Sequence, residues 1–240
     1  MLVPFVQLEL AGLIGLPEGR YLAREGDSER VLVVQASAVP RPGGRRRRAR
    51  AVEPSEPDEV PLTRVIVTGT ERFRVRSEAL EWLEATVSDT QRRAALVRSA
   101  TRLLNKALNA LRAAARDPLV QDVGATRALA VRIGFGEGEE IAEGRWSEAR
   151  QLPPPRRGRL DDVDPQTRVA AVLAGREEVH PAETLLQRAR LDLEQGRVDE
   201  AVYGLSAAST ALDDLPGPRN EKLREQIREA ERRLGDNLDR

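Results

Sequence analysis

The amino-acid sequence predicts an α+β protein, with an N-terminal antiparallel β-sheet packed on a long helix, followed by a C-terminal antiparallel helical bundle. Three observations carry that reading. Within the first 75 residues, runs rich in Val, Ile and Leu alternate with breaks containing Gly and Pro, the pattern of strands and turns. Residues 89–116 contain neither glycine nor proline and repeat apolar side chains at helical spacing. Beyond residue 160, apolar stripes of helical period are separated by short breaks marked by Gly or Pro. The sequence therefore divides into an α+β domain over 1–150, a Pro- and Arg-rich linker over 151–160, and a helical bundle over 161–240.

Taken in order, Val3-Pro4-Phe5-Val6-Gln7-Leu8-Glu9-Leu10 partly alternates and reads as the first strand. Tyr21-Leu22-Ala23-Arg24 and Arg30-Val31-Leu32-Val33-Val34-Gln35 flank the turn residues Glu25-Gly26-Asp27-Ser28-Glu29, a hairpin signal. Leu62-Thr63-Arg64-Val65-Ile66-Val67-Thr68 adds a β-branched strand. These strands are expected to form an antiparallel meander over 1–75. Residues 38–60 interrupt it with repeated proline and low hydrophobicity, and read as a disordered loop between two paired strands.

Helix begins at Ser77, with Glu78 placed at the positive end of the helix dipole. The long helix 89–116 puts Leu96, Ala100, Leu103, Leu104, Ala107, Leu111 and Ala114 on one face, and Asp117-Pro118 stops it. Ala128-Leu129-Ala130-Val131-Arg132-Ile133 reads as a late strand, ending in a glycine-rich turn at Gly134-Phe135-Gly136-Glu137-Gly138. In the last third, Asp164-Pro165 opens a short helix through Leu173, and Pro181 opens the next, with Gly196 as its stop. A third helix carries Val198, Ala201, Val202, Leu205, Ala208 and Leu212. The last runs from Pro218 to Leu234 and is closed by Gly235.

Composition narrows the function classes. The absence of cysteine excludes disulfides, thiolate nucleophiles and zinc-thiolate sites together. A single histidine, His180, excludes sites built from several imidazoles, and its place before Pro181 marks a helix start. No run of about 18 apolar residues predicts a membrane span. The N-terminus lacks the pattern of a secretory signal, so a cytoplasmic location is expected. Aromatics at 3% leave little material for stacking bases. The glycines at 134–138 lack dinucleotide-loop spacing, and Glu137, Glu139 and Glu140 would repel a phosphate. No cofactor or metal is expected, and no pair of carboxylates stands out.

Basic residues balance acids 39 to 39, and nearly all are arginine, Lys106 and Lys222 being the lysines. That bias cheapens the arginine run Arg45-Arg46-Arg47-Arg48-Ala49-Arg50. Such a run can serve as an arm for nucleic acid, yet four acids follow it within nine residues. The helix 89–116 offers a sharper feature. Arg98, Arg102, Asn105, Lys106, Asn109, Arg112 and Arg116 fall within about 120° at 100° per residue, on the side expected to lie opposite the apolar stripe. No acid occurs between Asp89 and Asp117.

Leu185-Leu186-Gln187-Arg188-Ala189, Gly196, Glu200-Ala201, Leu205 and Ala208 together resemble a helical hairpin of the tetratricopeptide type. The resemblance covers about 30 residues. Arg188 stands where that family has an aliphatic residue and Asp192 where it favours an aromatic, and no second copy follows at the family's period. It implies a partner-binding hairpin. The same helices faintly resemble the small all-helical domains of some prokaryotic RNases, which space an arginine and a histidine by four to six residues. Arg176 and His180 have only three between them and precede the helix, which argues against RNase activity.

The leading expectation is therefore a non-enzymatic interaction or scaffold protein that binds a protein partner through its C-terminal hairpins, around Arg190, Tyr203 and Leu205. Assembly with copies of itself is compatible with that reading. The second is an accessory protein that binds nucleic acid through Arg98, Arg102, Lys106, Arg112 and Arg116. The third is an enzyme with an unrecognised carboxylate site.

Overall fold

The computed structural model describes residues 1–25, 28–40, 59–153, 165–213 and 218–238. The chain divides into two compact units, Met1–Arg157 and Gly158–Arg240. The arginine run at 45–50 and most of the stretches 38–60 and 151–160 lie outside the described residues.

The first unit is built on a six-stranded antiparallel sheet with the order β2-β3-β4-β1-β5-β6. Its strands are β1 (Leu2–Ala11), β2 (Gly19–Glu25), β3 (Ser28–Pro40), β4 (Glu59–Thr68), β5 (Ala128–Glu137) and β6 (Glu148–Gln151). The expected meander holds only from β2 to β4. Instead of starting the meander at an edge, β1 lies between β4 and β5. Its side chains explain the displacement. Val6, Leu8 and Leu10 face one side of the sheet while Val3 and Phe5 face the other, and all five are buried. A strand that is apolar on both faces stabilises most in a central slot, where both faces are covered. Pro4 is tolerated there because it lies one residue past the β4 ladder, which begins at Phe5↔Thr68.

The β2–β3 ladder runs to Glu25↔Ser28, so the connection is two residues rather than the five expected. Two-residue loops match the twist of the paired strands. β3 and β4 pair as far as Pro40↔Glu59, so residues 38–40 and 59–60, expected in the loop 38–60, belong to the strands.

Two helices, α1 (Arg76–Ser88) and α2 (Thr90–Ala115), cover one face. Ala79, Trp82 and Leu83 of α1, with Ala100, Leu103, Leu104 and Leu108 of α2, pack on Val6, Leu8, Val65, Val67 and Ile133. α1 starts one residue earlier than expected, with Val75 at the cap position. Glu78 reaches back to accept from the Arg74 backbone N–H at 3.1 Å. Asp89 caps α2, accepting from the Gln91 and Arg92 N–H groups at 2.8 and 3.1 Å. At the other end Arg116 takes the left-handed conformation, φ 54°.

The opposite face carries a smaller cluster of Val3, Phe5, Val33 and Ile66 beneath Ile141 and Ala142. The last two belong to the short helix α3 (Gly138–Ala142). The glycine-rich stretch 134–138 is not a turn. Gly134 and Gly136 lie within β5, and only Gly138 leaves it. The reason is close approach. A Cβ on Gly134 would stand 2.3 Å from the Glu148 carbonyl oxygen, and one on Gly136 would stand 3.1 Å from Trp146 Cα. The segment 146–149 is pressed onto bare backbone, and β6 forms the sheet edge there. Arg150 and, more weakly, Arg76 hold the Glu148 carboxyl below the usual carboxylate range. A lowered pKa means that this contribution is present above the unfolded value and is lost as pH falls through the folded one.

The second unit contains α4 (Pro165–Leu173), α5 (Pro181–Gln195), α6 (Val198–Asp213) and α7 (Pro218–Leu238). Leu186 and Ala189 of α5, Leu205, Ala208 and Leu212 of α6, and Leu223, Ile227 and Ala230 of α7 form its core. Gly204 adds what spacing could not reveal, since a Cβ there would stand 2.9 Å from Ala189 Cβ. α4 buries no side chain; Arg168 ties it to Glu177 at 3.6 Å and Glu183 at 2.5 Å.

Gly235 does not close α7, which continues to Leu238. Glycine ends a helix when it adopts the left-handed conformation, and Gly235 is not among the glycines with positive φ. It is a helix-interior glycine on the exposed side with open space around its Cα. Gly235→Ala is therefore expected to stabilise the second unit by about 0.5–1 kcal/mol. Denaturant unfolding would register this as a higher midpoint at unchanged slope. A lower midpoint would mean that the helix stops where the sequence pattern placed its end.

Candidate functional site

His180 occupies the cap position of α5. Its Nδ1 accepts from the Ala182 N–H at 3.2 Å, and Pro181 takes the first helical turn. The helix ends at Gly196, φ 74°, and α6 follows. Along this hairpin the three expected partner-binding residues separate. Tyr203 is 75% exposed, Arg190 is half-buried, and Leu205 is 2% exposed among the core residues of the bundle. Positions two apart on a helix lie about 200° apart, so Tyr203 and Leu205 cannot share a face. Leu205 holds the bundle together and is not available to a partner.

The outward side of α6 has its own character. Val202, Tyr203, Ser206, Ala207, Ser209 and Thr210 are all exposed, and at 100° per residue they occupy an arc of about 160°. From Ala201 through Leu212 no side chain carries a charge, in a chain where 32% of residues do. Beneath it, Asp192 of α5 is almost fully buried. It accepts from Arg197 Nε at 2.7 Å and Nη2 at 2.6 Å, with Arg188 Nε at 3.4 Å. This charge cluster fixes the α5–α6 turn.

On α2 the structure divides the expected basic face. Arg98, Arg102, Lys106 and Arg116 are exposed. Arg112 is not. Its Nε donates to the Val120 carbonyl at 2.6 Å, Nη1 to Asn109 Oδ1 at 2.8 Å and Nη2 to Asp122 Oδ1 at 2.8 Å. Asn105 is fully buried, exchanging hydrogen bonds with the Val123 backbone at 2.8 and 3.0 Å. After the helix the chain folds back along it, and its backbone polar groups take these side chains as partners. The buried residues Ala100, Thr101, Leu103, Leu104, Asn105 and Leu108 therefore run from the side opposite the basic arc round to its edge.

Two features on the first unit had no sequence signal. Leu13, Leu119 and Leu129 are each more than half exposed and line one groove of about 730 Å³. They stand in turns or at a strand start, where no periodicity marks them. On the sheet face that carries α3, Gln7, Glu9, Gln35, Arg64, Arg132 and Gln151 meet across strands β1, β3, β4, β5 and β6. Gln7 Nε2 donates to Glu9 Oε1 at 3.0 Å, Arg132 pairs with Glu9, and Gln35 Nε2 donates to the Ala142 carbonyl at 3.0 Å. Gly144, φ 81°, leaves room for Arg64 Nη1, which a Cβ would meet at 3.0 Å. Gln7 Oε1 and Arg64 Nε are buried with no hydrogen-bond partner among the described residues. This network contains one carboxylate, already neutralised by Arg132, so it offers no acid–base pair.

Among the described residues, no group of three or more His, Asp or Glu side chains is placed to hold a metal ion. Nor is any helix long and apolar enough to cross a membrane. No protein-family model, curated protein or solved structure matches the chain.

Proposed function

We propose that the protein is a non-enzymatic interaction module whose second unit receives an amphipathic helix of a partner protein on the outward face of α6. The observation that carries the reading is the uncharged run from Ala201 to Leu212, with half of its residues turned to solvent. An exposed helix face normally carries charge, and an uncharged one with an exposed aromatic is the composition of a contact surface. Tyr203 supplies a large amphipathic anchor. Ser206, Ala207 and Thr210 are small enough for a second helix axis to approach to about 8 Å. The same face selects its occupant. A charged stripe laid on it would lose its hydration with no opposite charge in exchange, so the partner helix presents aliphatic side chains.

The test uses the full chain. A photo-cross-linker at position 203 identifies the bound segment, and the captured protein is then titrated against purified variants. Ala207→Glu is expected to weaken binding at least tenfold, because it places a bare carboxylate in the contact. Thermal unfolding should not move, since Ala207 is exposed, and Arg98→Glu on the first unit should leave the affinity unchanged. An affinity indifferent to Ala207→Glu, or cross-links only to a second copy of this chain, overturns the proposal.

A further inference from the structure

Next to α3, the sheet face that it covers contains a cavity of about 310 Å³, at the lower end of the range for small-molecule sites. Its floor is mostly aliphatic, made by Val3, Leu22, Val31, Val33 and Ala142, with Thr68 as the one hydroxyl among them. Val3, Val33 and Ala142 are buried, while Leu22 is 58% exposed at the mouth. The rim carries two guanidinium groups, Arg20 and Arg72, against one carboxylate, Glu139.

The two arginines are held differently. Arg72 donates through Nη1 to the carbonyls of Gly69, Thr70 and Glu71 at 2.9–3.0 Å. The loop after β4 thereby fixes the guanidinium at the rim. Its Nε and Nη2 have no partner among the described residues. Arg20 pairs with Glu139 at 2.8 Å, and the Glu139 side chain is 87% exposed. An ion pair so open to water is weak, so a second carboxylate can take Glu139's place at modest cost.

We infer that this cavity binds a small monocarboxylate with an aliphatic body, its chain on the valine floor and its carboxylate between Arg20 and Arg72. The body is aliphatic because five of the lining side chains are aliphatic and the buried Thr68 hydroxyl among them already accepts from the Val31 backbone N–H at 2.9 Å. The head is anionic because the rim has an excess of positive charge with donors to spare. A carboxylate suits guanidinium geometry, which presents paired N–H groups to two oxygens. Glu139 then acts as a competing internal ligand, which gives the site a signature that a greasy crevice would lack.

The probe is hexanoate, titrated calorimetrically into the full-length protein in a chloride buffer, with hexan-1-ol and inorganic phosphate as comparisons. Hexanoate is expected to bind with an affinity no weaker than about millimolar, and the alcohol about tenfold more weakly, for want of the charge-assisted bonds. Arg20→Gln should weaken hexanoate binding about tenfold. Glu139→Gln should strengthen it about two- to fivefold by removing the competitor, and Leu22→Glu should abolish it by placing a carboxylate at the mouth. These three positions are exposed, so the variants are expected to fold, and thermal unfolding verifies that. No heat up to about 10 mM hexanoate overturns the inference. So does equal binding of the alcohol, equal binding of phosphate, or an affinity that neither Arg20→Gln nor Glu139→Gln changes.

Discussion

Gly134→Ala is expected to cost the first unit about 2 kcal/mol or more, a large effect for the addition of one methyl group. The new carbon would sit 2.3 Å from the Glu148 carbonyl oxygen and 2.9 Å from both Ala149 Cα and Cβ. These are backbone or near-backbone atoms that cannot swing aside as a flexible side chain would. Either the unit absorbs the strain, or β6 leaves the sheet and surrenders its four residue pairs with β5. The two responses can be told apart. Strain throughout the unit lowers the denaturant midpoint. Release of β6 removes hydrogen-exchange protection from 148–151 and shifts the emission of Trp146, which packs on Phe5 with ring centroids 5.6 Å apart. An unchanged midpoint together with retained protection would mean that 146–149 does not lie against β5.

Asp192→Ala is expected to destabilise the second unit by about 3 kcal/mol. Asp192 and Arg197 are both nearly withdrawn from water, with side chains 4% and 12% exposed. Removing the carboxylate leaves a guanidinium with its charge uncompensated in poor solvent. For a unit of this size that corresponds to a fall of about 12–24 °C in melting temperature. The controls identify the cause. Arg197→Ala should cost less than Asp192→Ala, because a lone carboxylate at this position keeps Arg188 within reach at 3.4 Å. The double substitution should cost clearly less than the sum of the two, the mark of a direct pair. Additive losses would assign both residues to packing alone.

Much of the fold could be read from local chemistry. The repeat of Leu96, Ala100, Leu103, Leu104 and Ala107 announces α2, and the structure adds that Asp89 caps it. Ala189, Ala201 and Ala208 mark the close face of the α5–α6 hairpin because only small residues fit there. What failed to show is non-local. The position of β1 is set by pairing with β5, more than 120 residues later, and its one sequence clue was the lack of clean alternation in Val3-Pro4-Phe5-Val6. Gly134 and Gly136 read as a turn because glycine is common in turns, whereas they serve to admit a neighbouring backbone. Gly235 read as a stop because composition cannot distinguish a left-handed glycine from a helical one.

The candidate site was less visible for the same reason. Charge and periodicity identify a basic helix, yet whether Arg112 meets solvent or the returning chain depends on a loop that no periodicity describes. Leu205 looked like a contact residue because it lies close in sequence to Tyr203, and helical geometry sends the two to opposite sides. The cavity beside α3 draws on β1, β2, β3, β4 and α3 at once, and no window along the chain holds those residues together.

The sheet ends on one side at β2 and on the other at β6. β6 is four residues long, and β2 carries Arg20, Arg24 and Glu25 along seven. Ionic groups and brevity at a free border leave little for a foreign strand to copy. Such borders disfavour templated growth from the sheet edge, compared with a long, flat, apolar edge strand.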